Sequence, residues 1–178
     1  MQKLSRRARV ATGAAVLAAV AAGTFGTVSA SAAPQAAPAA AQAADTTTST
    51  HLTIDAASKA AQAALDAAEK ENQKVSVAVV DRNGNTVLTL RGDGAGPQSY
   101  EAAEKKAYTA VSWNAPTSEL AERLDKAPTL KDIPNTLFLA GGAPVTADKA
   151  PIAGIGVAGA PSGDLDEKFA QAGVDALK

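Results

Sequence analysis

The chain contains no cysteine, one histidine, one methionine, one tryptophan, two tyrosines and three phenylalanines in 178 residues. Without cysteine there is no disulfide framework, thiolate nucleophile, Fe–S cluster or cysteine-based zinc site. Aromatic residues make up 3%, and alanine alone supplies 45 residues, over half of the 46% hydrophobic fraction. A core built from Ala, Val, Leu and Ile buries less apolar area per residue than usual, which favours oligomerisation as a further source of burial. The length suits one ordinary domain with a tail.

The N-terminus reads as an export signal over residues 1–32. Lys3, Arg6, Arg7 and Arg9 form a positive region, and Val10 to Gly23 an apolar run. Val28-Ser29-Ala30-Ser31-Ala32 then offers cleavage after Ala30 or Ala32. The run of 14 residues falls short of the ~20 that a membrane span needs. Arg6-Arg7 is also a twin-arginine pair, although Arg9 and Val10 stand where that pattern prefers Phe and Leu. The leader carries four basic and no acidic residues, so its removal leaves 13 basic against 18 acidic, net −5. That balance argues against nucleic-acid or anionic-membrane binding. Residues 33–50, rich in Ala, Pro, Gln and Thr, hold nothing large to bury and are expected to be a disordered spacer. The domain is expected over 51–178, outside the cell.

From Thr53 the spacing of Ile54, Ala57, Ala61, Leu65 and Ala68 predicts a helix capped by Thr53. Val75–Val80 and Thr86–Leu90 alternate as strands around Asn83-Gly84, a strong hairpin signal. A helix follows over Gln98–Trp113, then a short one after Thr117. Thr136–Ala140 is expected as a strand, Gly141-Gly142 as a tight turn, Pro144–Thr146 as its partner and Ala150–Ala158 as the last strand. A final helix is expected over Asp164–Leu177. This order implies an α+β domain in which helices pack against an antiparallel five-stranded sheet.

Three segments, VSVAVVDRNGN, FLAGGAPV and APIAGIGVAGAPSGDLDE, resemble the GlcG/HbpS family across nearly the whole domain. The leader and the stretch SYEAAEKKAYTAVSWNAPTSEL resemble its exported, haem-binding HbpS branch in particular. The resemblance implies a profilin-like fold, a homo-octamer, haem binding and partnership with a membrane sensor histidine kinase in redox signalling. The GlcG and PduO branches imply an alternative, an accessory metabolic module for a small organic acid or corrinoid. Family membership does not choose between them, but export favours the first.

His51 is the only imidazole, placed just before the first helix. Haem iron takes His, Cys, Met or Tyr as axial ligand, so with Met1 in the leader only His51, Tyr100 and Tyr108 remain. By itself His51 also reads as an exposed tail residue. The resemblance implies haem contacts for a pre-helix His and for a Thr opening a central strand, which are His51 and Thr136 here. Glu101 with Glu104, and Asp164 with Glu167, are carboxylate pairs three residues apart on helices. Such spacing can hold a cation if further ligands join, and it equally suits a solvated face or helix-dipole pairing. The resemblance implies iron at both pairs. The loop GDGAGP lacks the G-K-[ST] of a phosphate loop, and no G-x-S-x-G elbow occurs. A non-catalytic role is expected, with haem breakdown by coupled oxidation left open.

Overall fold

The computed structural model describes residues 40–178. The chain divides into Met1–Asp45 and Thr46–Lys178. The leader and residues 33–39 lie outside the described residues. The described end of the spacer is exposed and holds one 3-10 turn, Ala43–Asp45.

The larger unit runs α1 (Ile54–Lys70), β1 (Ser76–Asp81), β2 (Thr86–Arg91), α2 (Pro97–Trp113), α3 (Thr117–Glu122), β3 (Gly142–Ala147), β4 (Ala150–Ala158) and α4 (Gly163–Asp175). Thr53 Oγ1 accepts the Ala56 N–H at 3.2 Å and so starts α1. The strands form one antiparallel sheet in the order β2-β1-β4-β3. β1 is central and covered on both faces. Val77 and Val79 join α1 and α4 in the main core, while Ala78 and Val80 join α2 on the opposite face. Each fully buried valine contributes roughly 1.5–3 kcal/mol.

Few large side chains are available, so the layers close by approach of backbones. A Cβ on Gly156 would stand 2.0 Å from the Ala103 carbonyl oxygen, and one on Gly154 2.1 Å from that of Ala107. Only glycine at these two positions lets α2 rest directly on β4.

The sheet has four strands, not the five expected. Thr136–Ala140 is irregular, ending in a bend at Leu139-Ala140, and pairs with no strand among the described residues. The Leu137 N–H is taken by Thr109 Oγ1 at 2.8 Å, and Phe138 is buried against Trp113, with ring centroids 5.8 Å apart. Phe138 thus anchors a third cluster with Ala115 and Leu120. Gly141-Gly142 is correspondingly not a hairpin turn, and Gly142 opens β3. The β3–β4 turn lies at Asp148-Lys149, where φ is +49° and +66°.

Candidate functional site

The Asn83-Gly84 turn organises the first candidate region. Asp81, at the end of β1, accepts the N–H groups of Asn83 and Asn85 on Oδ1 at 2.8 and 2.9 Å. Its Oδ2 accepts the Asn85 side-chain amide at 3.2 Å. Burial pulls the Asp81 pKa up, but the N–H of Asn85, its amide and the N–H of Asn83 outweigh this and leave it below the ordinary aspartate value. His51 reaches this carboxylate from the segment before α1, with Nδ1 4.0 Å from Asp81 Oδ2. Its Nε2 lies 2.7 Å from Ser49 Oγ, and the imidazole is 36% exposed. The ring thus has a carboxylate near Nδ1 and an exposed serine hydroxyl at Nε2.

Beside the turn is a cleft of about 300 Å³ lined by Glu101, Glu104 and Tyr108 from α2, with Gly84, Thr86 and Asn135 opposite. These three α2 side chains share a helical face. Gly84 is required there, since at φ +86° a Cβ would stand 2.7 Å from Tyr108 Cε2. Glu101 pairs with Lys105 at 2.6 Å, and that contact lowers the Glu101 pKa. Glu104 accepts from Thr89 Oγ1 at 3.1 Å. Tyr100 projects elsewhere on α2 and is 43% exposed.

Thr136 donates its hydroxyl to the Ile133 carbonyl at 2.7 Å, closing a turn rather than opening a strand. No contact joins it to His51. Its neighbour Asn135 lines the cleft, as does Gly84, which donates its N–H to the carbonyl of Asp81. The structure thus gathers Glu101, Glu104 and Tyr108 in one cleft; His51 and Thr136 are not among its lining residues, His51 approaching Asp81 and Ser49, and Thr136 following Asn135 in sequence.

Asp164 and Glu167 face a separate open cleft on the first turns of α4. Ser162, not Asp164, caps that helix, its Oγ accepting the Leu165 N–H at 3.3 Å. Glu167 is committed to structure. It accepts the Ser118 N–H at 2.9 Å, the Gly141 N–H at 3.2 Å and both the Thr117 and Ser118 hydroxyls. A cation there would compete with four donors. No group of three or more His, Cys, Asp or Glu able to hold a metal occurs among the described residues.

A buried ion pair had no local signal in the sequence. Lys106 Nζ lies 2.7 Å from Asp166 Oδ2 and donates to the Val157 carbonyl at 3.0 Å, and the two residues are 2% and 3% exposed. Asp166 Oδ1 also accepts the Ala160 N–H at 3.0 Å. Burial raises the Asp166 pKa despite Lys106. The pair forms part of a third cleft, about 370 Å³, and ties α2 to the 158–163 loop and α4. Every polar atom of the pair is partnered, so its role is structural.

A family model described as haem degrading protein, HbpS-like, matches residues 52–175. The chain is similar to a solved double Glu→Asp variant of Streptomyces reticuli HbpS, with 72% identity, coverage of 82% of this chain and 99% of that one, and a TM-score of 0.79. A second HbpS structure is 74% identical over 79% of this chain and 99% of its own, with a TM-score of 0.78. A PduOC protein solved as its haem complex is 27% identical, covers 71% and 95% of the two chains, and has a TM-score of 0.66.

Proposed function

The chain belongs to the HbpS-like family of haem degrading proteins, and on that premise we propose that it is an exported protein that binds haem b and iron outside the cell. The observation that carries this reading is the single histidine. His51 stands with Nδ1 4.0 Å from the Asp81 carboxylate and with Nε2 on the exposed side, where Ser49 Oγ lies 2.7 Å away. The described residues contain no cysteine or methionine to compete for an axial position. The likeness to a PduOC haem complex supports the same ligand class.

The donor set fits haem at a surface. A cleft of about 300 Å³ is at the lower end of small-molecule sites and covers a porphyrin only in part. His51 would supply a nitrogen ligand to the iron, and Thr136 a weak oxygen contact whose hydroxyl is shared with the Ile133 carbonyl. Bound haem supplies one-electron and oxygen chemistry at its iron. The protein's part is to ligate, orient and leave one edge open to solvent. Iron ions fit the oxygen donors Glu101 and Glu104, and less well Asp164 and Glu167. The crystallised Streptomyces reticuli variant alters two glutamates at the same three-residue spacing.

Assembly into an octamer, wall-associated location and modulation of a membrane sensor histidine kinase complete the proposal, supported by the family and by the leader sequence. The deciding experiment is a hemin titration read at the Soret band, comparing wild type with His51→Ala. The variant is expected to lose strong ligation while circular dichroism is unchanged. Wild-type affinity and spectrum in the variant would remove the His51 assignment.

A further inference from the structure

The proposed ligand has a neighbour whose geometry bears on which ring nitrogen carries its proton. Asp81 is fixed in place by the hairpin turn, since three donors from Asn83 and Asn85 hold its carboxylate. Its Oδ2 then points at His51 Nδ1 across 4.0 Å. An Nδ1–H is attracted by that oxygen, whereas an Nδ1 lone pair would face a negative charge. On the opposite side the Ser49 hydroxyl stands 2.7 Å from Nε2 and can turn its proton toward a bare nitrogen. The Asp81 charge therefore favours the neutral tautomer with the proton on Nδ1, and the Ser49 hydroxyl, able to donate or accept, is compatible with it. Free histidine has no such constraint.

We infer that Asp81 is a positioning residue for His51, holding the proton on Nδ1 and leaving the Nε2 lone pair directed outward for iron. The inference rests on the proposed ligand role of His51. Carboxylate partners of metal-bound imidazoles fix ring orientation and raise ligand basicity. Here the partner is set by a turn, so it is in place before any ligand arrives. Ser49 occupies the Nε2 side from an exposed segment and would have to give way to iron there. The negative charge behind the imidazole also favours ferric over ferrous iron at Nε2.

The test begins without haem. Because the chain has one histidine, its ring nitrogens give a single pair of signals in a long-range proton–nitrogen NMR correlation. The spectrum is recorded well above the ordinary histidine pKa of about 6.5. The expected wild-type spectrum shows Nδ1 protonated and Nε2 bare, and Asp81→Asn, which keeps an oxygen for the turn N–H groups, shifts it toward the other tautomer. With hemin, Asp81→Asn should bind about 10-fold or more weakly and show a more positive ferric/ferrous midpoint. In a His51→Ala background the same substitution should change hemin binding no further. A wild-type spectrum with Nε2 protonated overturns the inference whatever the variants do. So does an Asp81→Asn protein with unchanged tautomer and midpoint. If instead His51→Ala binds hemin normally, the ligand reading fails, and the haem-free spectrum still decides whether Asp81 sets the tautomer.

Discussion

Replacing Lys106 with methionine keeps most of the side chain's length and removes its charge. Asp166 would then be a carboxylate at 3% exposure, with the Ala160 N–H among its remaining partners, and the Val157 carbonyl would lose its donor. Breaking a buried pair by removing one partner costs about 3–5 kcal/mol. A domain of this size loses roughly 3–5 °C in Tm per kcal/mol, so the expected fall is about 10–25 °C. The pH dependence has a definite sign. Burial already raises the Asp166 pKa in the folded state, so the folded protein binds this proton more readily than the unfolded chain does. Stability from that source is present at low pH and is lost as pH rises from the ordinary aspartate value through the raised one. Without Lys106 the pKa should climb further, and the defect should shrink on acidification. The double variant Lys106→Met/Asp166→Leu should recover most of the loss, because neither charge is then stranded. Thermal melts of the three proteins across the acidic range measure all of this. A single-variant loss below about 1 kcal/mol, or a loss that grows on acidification, would refute the reasoning.

Gly156→Ala should destabilise by about 2 kcal/mol or more, read as a lower denaturation midpoint, because its Cβ would press on the Ala103 carbonyl at 2.0 Å. Glu101→Ala with Glu104→Ala should reduce bound iron in equilibrium dialysis, while hemin keeps the wild-type Soret position because neither side chain is its proposed iron ligand. Glu167→Ala should instead cost about 1–3 kcal/mol in thermal unfolding, since it strands the N–H groups of Ser118 and Gly141. Light scattering on the cleaved protein should give the mass of an octamer, and a monomer at micromolar concentration would reject assembly.

The four helices and the β1–β2 hairpin were legible because each carried its own local code. Alanines recur at helical spacing in α1, and Asn83-Gly84 separates two alternating runs. The other hairpin was missed because its turn, Asp148-Lys149, takes positive φ without a glycine or asparagine to announce it. Gly141-Gly142 offered the stronger signal at the wrong place. TLFLA has strand composition, but its burial comes from Trp113 and Leu120, contacts that no alternation rule encodes. The carboxylate pairs were visible as spacings while their different fates were not. Glu167 meets donors from α3 and the β3 approach, and Lys106 meets Asp166 sixty positions away. Asp81 carries no signal of its own in the sequence, and its orientation toward His51 appears once the segment before α1 is placed.

That segment gives the protein a vulnerability unlike any in its core. Ser49 and His51 lie outside α1, on a stretch that is exposed from residue 40 to His51, and Leu52 is the first side chain there to pack against the domain. A protease cutting just after His51 would remove the sole imidazole and its serine while sparing the Thr53 cap and every buried residue. The product would be a folded domain that has lost its proposed iron ligand, with its melting behaviour hardly altered. A preparation that looks intact by calorimetry can therefore be inactive for hemin, and intact mass, rather than stability, is the check on its competence.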